Sequence, residues 1–224
     1  MPSQLLTFPA RALLFDMDGT LVDSTAVVET AWHRLSERFG VDPDVVLASI
    51  HGVRAVDSIR RWAPPGSDID ALVEELTEFE IGAAAETVAV PGAVEFLNAL
   101  PVTSHALVTS AALPLAVARM KGAGVRLPQF VVTAEDVPHG KPAPDVYLLA
   151  AQMLGVDPAE ALVFEDAEAG IQAGLAAGMR VVVVGDHVSP DAPDLPRIAD
   201  YTGVTAVEEG DGLLRVSLPS SAAG

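Results

Sequence analysis

The sequence predicts an α/β fold: a parallel sheet covered by helices on both faces, with a helical unit inserted early in the chain. Three observations predict it. Short apolar runs bounded by turn signals recur at residues 12–15, 105–108, 130–132, 161–164 and 180–184, the pattern of strands buried on both faces. Helical spacing separates them, and strands alternating with helices make parallel sheets. The stretch 22–90 breaks the alternation and carries helical patterns alone.

The elements follow in order. The run 12–15 ends in Asp16-Met17-Asp18-Gly19-Thr20. Within 22–90, Val28, Ala31, Trp32, Leu35 and Phe39 share one helical face. Ile69, Leu72, Val73, Leu76 and Phe79 share another. Opposite the second lie Asp68, Asp70, Glu74, Glu75, Glu78 and Glu80, read as a solvated face. No strand is expected in this stretch. A helix is expected over 91–100 with Pro91 at its first position. Tyr147, Ala150, Ala151 and Leu154 keep the i, i+3, i+4, i+7 spacing, with Gly155 placed to stop the helix. Residues 167–177 are Ala-rich and end at Gly178. Residues 203–224 are weakly patterned, and the last six are expected to fray.

Composition narrows the function classes. The net charge is −18 with only 13 Lys plus Arg, scattered along the chain. Nucleic-acid binders need a basic face, so that class is disfavoured. No apolar run is long enough to span a bilayer, and the opening MPSQLLTFPARALLF lacks the pattern of a secretory signal. There are no cysteines, which excludes disulfides and thiolate metal sites. A cytoplasmic location with no membrane partner is the expectation. A strong negative field repels anionic substrates. An enzyme acting on phosphates must therefore reverse the sign locally, with a metal ion and a few placed cations.

Four segments carry chemistry. Asp16 and Asp18 emerge at the carboxyl end of the first expected strand, the edge where open α/β sheets bind ligands. Gly19 permits a tight bend there. Thr109 and Ser110 follow the run 105–108, where a hydroxyl and backbone N–H groups can hold a phosphoryl oxygen. Lys141, one of only two lysines, sits in Gly140-Lys141-Pro142; a compact ammonium suits a bridge between carboxylate and phosphate. Glu165 and Asp166 close the run 161–164, and paired acids at a buried exit are costly unless a cation sits there.

In this order, the four segments resemble the motifs of the haloacid dehalogenase superfamily, in its magnesium-dependent phosphatase branch. The resemblance covers residues 11–203. It implies a Rossmann-like core of residues 1–21 and 91–224 and a small helical cap of residues 22–90. It implies Asp16 as nucleophile, Asp18 as general acid and then base, and Thr109 and Lys141 positioning the phosphoryl group. It implies Mg2+ held by Asp16, Asp166 and the Asp18 carbonyl, with Glu165 behind them, toward Lys141 or through water.

The cap would close over the site and read the leaving group. His51-Gly52-Val53-Arg54 resembles the cap loop of glycerol-phosphate and 2-deoxyglucose-6-phosphate phosphatases, which makes His51 and Arg54 expected substrate contacts. Asp57 is read as structural and His139 as a solvated loop histidine. The cap has no lysine, which disfavours phosphonate-cleaving relatives. Asp18 argues against the metal-free dehalogenases. The expected substrate is a small sugar or polyol phosphate, and the expected state a monomer, with dimers also known in the family. The alternative is a mutase resembling beta-phosphoglucomutase; Thr20 after Asp-Gly favours hydrolysis.

Overall fold

The computed structural model describes residues 5–219. A six-stranded parallel sheet forms its centre. Its strands are β2 (Ala12–Phe15), β5 (His105–Val108), β6 (Phe130–Val132), β7 (Ala161–Glu165), β8 (Arg180–Val184) and β9 (Arg197–Ile198). They run in the order β6-β5-β2-β7-β8-β9. β2, β5 and β7 are buried at every residue, because helices cover both faces. One face packs Leu13, Phe15, Leu107 and Phe164 against α5 (Ala93–Ala99) and α6 (Leu113–Gly122). The other packs Leu14, Val108, Val132 and Val163 against α7 (Asp145–Leu154) and α8 (Glu168–Ala176). Phe15 stacks on Phe164 across adjacent strands with centroids 4.9 Å apart, and Phe96 and Tyr201 complete the cluster. Each such side chain contributes about 1.5–3 kcal/mol by burial, so this cluster anchors the two strand ends that carry Asp16 and Asp166.

Residues 25–82 form α1 (Thr25–Phe39), α2 (Pro43–Leu47), α3 (Ala55–Trp62) and α4 (Ile69–Gly82). They bury their own cluster, with Trp32, Leu35, Ile59, Leu72 and Leu76 at its centre. Two short strands close the base of this insert, β3 (Val22–Asp23) pairing antiparallel with β4 (Val88–Ala89). They correct the expectation of no strand in 22–90; two residues are too few to leave a period in the sequence.

Three other expectations change. Pro91 is not the first residue of a helix: the chain turns at Gly92 with φ +77° and α5 begins at Ala93. The Pro91 carbonyl instead accepts a hydrogen bond from Tyr201. The weakly patterned tail is ordered through Leu218. Its strands β10 (Thr205–Glu208) and β11 (Leu214–Leu218) build a three-stranded antiparallel sheet with the unforeseen β1 (Leu6–Ala10), in the order β1-β11-β10. The alternation of buried Leu214, Val216 and Leu218 with Arg215 and Ser217 is the period-2 signal of that sheet. The fraying expected at the last six residues lies, from 220 on, outside the described residues. Finally, Glu80 departs from the solvated acidic face and is buried, while Asp68 caps α4 through the Ala71 N–H. Among the described residues no helix is long and apolar enough to cross a membrane.

Candidate active site

Asp16, Thr109 and Asp166 are each the first residue beyond the carboxyl end of a parallel strand, β2, β5 and β7. The register pairs Phe15 with Leu107 on one side and with Phe164 on the other, so the three side chains leave the sheet edge together. The strand order reverses around β2, which opens a crevice at this edge.

Lys141 enters from the loop after β6 and is fully enclosed. Its ammonium donates to Asp16 Oδ1 at 2.5 Å, Glu165 Oε1 at 2.7 Å and the Val108 carbonyl at 3.1 Å. All three of its donors are spent. Burial alone would lower its pKa, but the flanking Asp16 and Glu165 carboxylates hold it above the ordinary lysine value. Glu165 is saturated in the same way. Its Oε1 also accepts from the Tyr147 hydroxyl at 3.0 Å, and its Oε2 accepts from the backbone N–H groups of Asp166 and Ala167 at 3.0 and 3.1 Å.

Asp18, in the turn after β2, has two partners of its own. Ser24 Oγ donates to Asp18 Oδ1 and Arg119 Nη1 donates to Oδ2, both at 2.7 Å. Thr20 Oγ1 donates to Asp166 Oδ1 at 3.0 Å. Gly19, at φ +78°, lies so close to Asp166 that a Cβ there would fall 2.0 Å from Oδ2.

Asp16, Glu165 and Asp166 can each offer an oxygen within 4.8 Å of the others. Glu165 has no lone pair left, which leaves Asp16 and Asp166 as the free carboxylates. Burial pushes Asp16 up to about 8 and Asp166 well above the usual carboxylate range, with Glu165 adding to both. Five acids, Asp16, Asp18, Glu80, Glu165 and Asp166, surround two cations, Lys141 and Arg119. An oxygen-only donor set with acids in excess of cations fits a hard divalent cation.

A cavity of about 490 Å³ opens above these residues, lined at its floor by Asp16, Asp18, Thr109, Ser110 and Asp166 and on the insert side by His51, Arg54 and Trp32. His51 is exposed in the turn before α3. Arg54 lines the cavity and is held there by two of its nitrogens. Its Nε binds Asp57 at 2.6 Å, and its Nη1 reaches the carbonyls of Val137 and Pro138 at 3.4 and 3.3 Å. It clasps the insert to the loop that carries Lys141, and Asp57 is structural as read. The Ser110 hydroxyl likewise reaches across to the Gly52 carbonyl at 2.8 Å, while Thr109 Oγ1 accepts from the Ala111 N–H at 3.1 Å. His139 is exposed and pairs with Asp145.

Sequence reasoning missed Arg119 and Glu80. Arg119 lies four residues after Leu115 and three after Ala116 on the buried face of α6. Glu80 lies four after Leu76 on the buried face of α4. A charge inside an apolar stripe was the available signal.

A family model described as haloacid dehalogenase-like hydrolase matches residues 10–178. The chain belongs to this family. Haloacid dehalogenase-like hydrolases named for phosphatase activity are among its curated relatives. Hexitol phosphatase A of Escherichia coli (strain K12) is 46% identical over 193 residues, covering 84% of this chain and 88% of that protein. Glycerol-1-phosphate phosphohydrolase 2 of Saccharomyces cerevisiae is 34% identical over 188 residues, covering 79% and 75%. In fold the chain is similar to beta-phosphoglucomutase from Clostridium difficile, with a TM-score of 0.74 at 22% identity, covering 87% of this chain and 92% of that one. This haloacid dehalogenase-like hydrolase is thus an enzyme of the phosphatase kind.

Proposed function

We propose that this enzyme hydrolyses small sugar or polyol phosphate monoesters through an aspartyl-phosphate, with Mg2+ as cofactor, residues 22–90 acting as the cap on a core of residues 1–21 and 91–224. The observation that carries the reading is the Asp16 carboxylate pinned by buried Lys141 at the sheet edge, facing a cavity with Asp18 and Asp166. The names of the relatives support the substrate class.

Asp16, Asp166 and the Asp18 carbonyl would hold the metal, whose charge would neutralise the phosphoryl oxygens. Lys141 fixes Asp16 Oδ1 and favours its ionised form against the effect of burial, and the other oxygen attacks phosphorus as the bond to the leaving oxygen breaks. Asp18 gives that oxygen a proton. It then takes a proton from the water that attacks the aspartyl-phosphate, which frees inorganic phosphate and restores Asp16. Ser24 and Arg119 occupy both Asp18 oxygens, so one of these bonds is exchanged when the leaving group enters. The insert covers the site and limits access of bulk water.

The test is phosphate release from a panel of sugar, polyol and small-acid phosphates, with magnesium and with a chelator. Asp16→Asn is expected to lower turnover by at least about a thousandfold. Near-normal turnover by that variant would overturn the mechanism. Release without any added bisphosphate separates hydrolysis from mutase chemistry.

A further inference from the structure

The buried Arg119 has more donors than partners. Its side chain is 4% exposed, and Nη1 is bound to Asp18. Nη2 stands 3.0 Å from Glu80 Oε1 without hydrogen-bond geometry, and neither Nη2 nor Nε has a hydrogen-bond partner among the described residues. Unpaired buried donors are costly and rare. Arg119 and Glu80 both line the cavity, with Thr77 one turn before Glu80 on α4. The wall around them is apolar: Trp32, Val73, Leu76 and Leu115.

A free N–H and a carboxylate side by side suit one kind of group. A hydroxyl donates to the carboxylate and accepts from the guanidinium at once. An anionic leaving group would meet the Glu80 charge, and an alkyl group would leave both polar groups unpaired. Asp18, the group placed at the leaving oxygen, is one guanidinium away from Glu80. That spacing suits hydroxyls on the carbons just beyond the ester oxygen.

We infer that Glu80 and Arg119 form a hydroxyl-reading subsite for the leaving group, with Glu80 accepting from a leaving-group hydroxyl and Arg119 donating to it. The inference rests on the phosphatase reading above and adds the residues that select a neutral polyol over alkyl or anionic alcohols. Arg119 also positions Asp18, which couples the fit of the leaving group to the acid and base carboxylate.

The test compares kcat/KM for sorbitol 6-phosphate and n-propyl phosphate with magnesium, in wild type and Glu80→Gln. The ratio between the two substrates is expected to fall about tenfold to a hundredfold, the range for losing a hydrogen bond to a charged group. A merely structural Glu80 would lower both values together and leave the ratio within about twofold of wild type; that result overturns the inference. Glu80→Asp, which keeps the charge but withdraws it by one methylene, is expected to lower the ratio as well, and it decides the matter if Glu80→Gln does not fold. A wild-type protein that hydrolyses neither ester, nor any other in the panel, overturns the phosphatase reading itself.

Discussion

Lys141 Nζ sits between Asp16 Oδ1 and Glu165 Oε1, at 2.5 and 2.7 Å, with no exposed side-chain surface. One buried ammonium thus aligns the proposed nucleophile and ties the end of β2 to the end of β7. Replacing it leaves two carboxylates buried side by side. Lys141→Met is expected to destabilise the fold by about 3–5 kcal/mol, the cost of breaking a buried pair, and to abolish turnover. Lys141→Arg is expected to fail as well, because a planar fork cannot satisfy the three acceptors that surround a compact ammonium. Urea unfolding followed with turnover checks both.

Glu165 folds back over α8 only because residue 170 has no side chain. A Cβ at Gly170 would lie 1.5 Å from Glu165 Oε1. Gly170→Ala is expected to displace Glu165, strip Lys141 of a partner and cost about 1–3 kcal/mol, as overpacking does, with turnover falling in parallel. Unchanged stability and activity would contradict the packing described here.

Burial first, and then Glu165, raise the pKa values of Asp16 and Asp166 against the opposing charge of Lys141. A carboxylate with a raised folded-state pKa binds its proton more tightly when folded. In chelator, stability is therefore expected to fall as pH rises from about 4 toward about 8. Magnesium needs the ionised carboxylates, so its stabilisation is expected to be larger at pH 8 than at pH 5. At a hundred times Kd the gain is about 2.7 kcal/mol. Thermal melts at both pH values, with and without magnesium, give the comparison.

Glu80 is pushed up from 4.5 to about 7 by burial; Arg119 opposes this and Asp18 adds to it. The 3.0 Å contact with Arg119 does not prevail, because Arg119 is bound to Asp18 and the Glu80 carboxylate is almost fully desolvated. Its contribution to stability is present below pH 4.5 and lost as pH rises through about 7. Glu80→Gln is expected to raise stability relative to wild type at pH 8, by about 1–3 kcal/mol, and to leave it nearly unchanged at pH 5. Melting curves at the two pH values read the difference directly.

The parallel sheet was legible because each central strand is apolar on both faces, and Asp16, Thr109 and Asp166 were legible because they follow those runs directly. Lys141 stood out by rarity and by its loop. The pairs β3–β4 and β1–β11 were not legible. β3 and β4 are too short to carry a period, the alternation in β11 lies in a stretch otherwise weakly patterned, and each strand pairs with a segment distant in sequence.

The sequence by itself determined the alternation of strands and helices, the helical insert and the acids at the strand ends, since hydrophobic period and turn chemistry are local properties. Tertiary structure alone decided the rest. It set Arg119 of α6 between Glu80 of the insert and Asp18 of the core, and it brought Arg54 to the carbonyls of the loop before Lys141. A charged side chain has no fixed partner until packing removes it from water, and the removal selects which distant group must meet it.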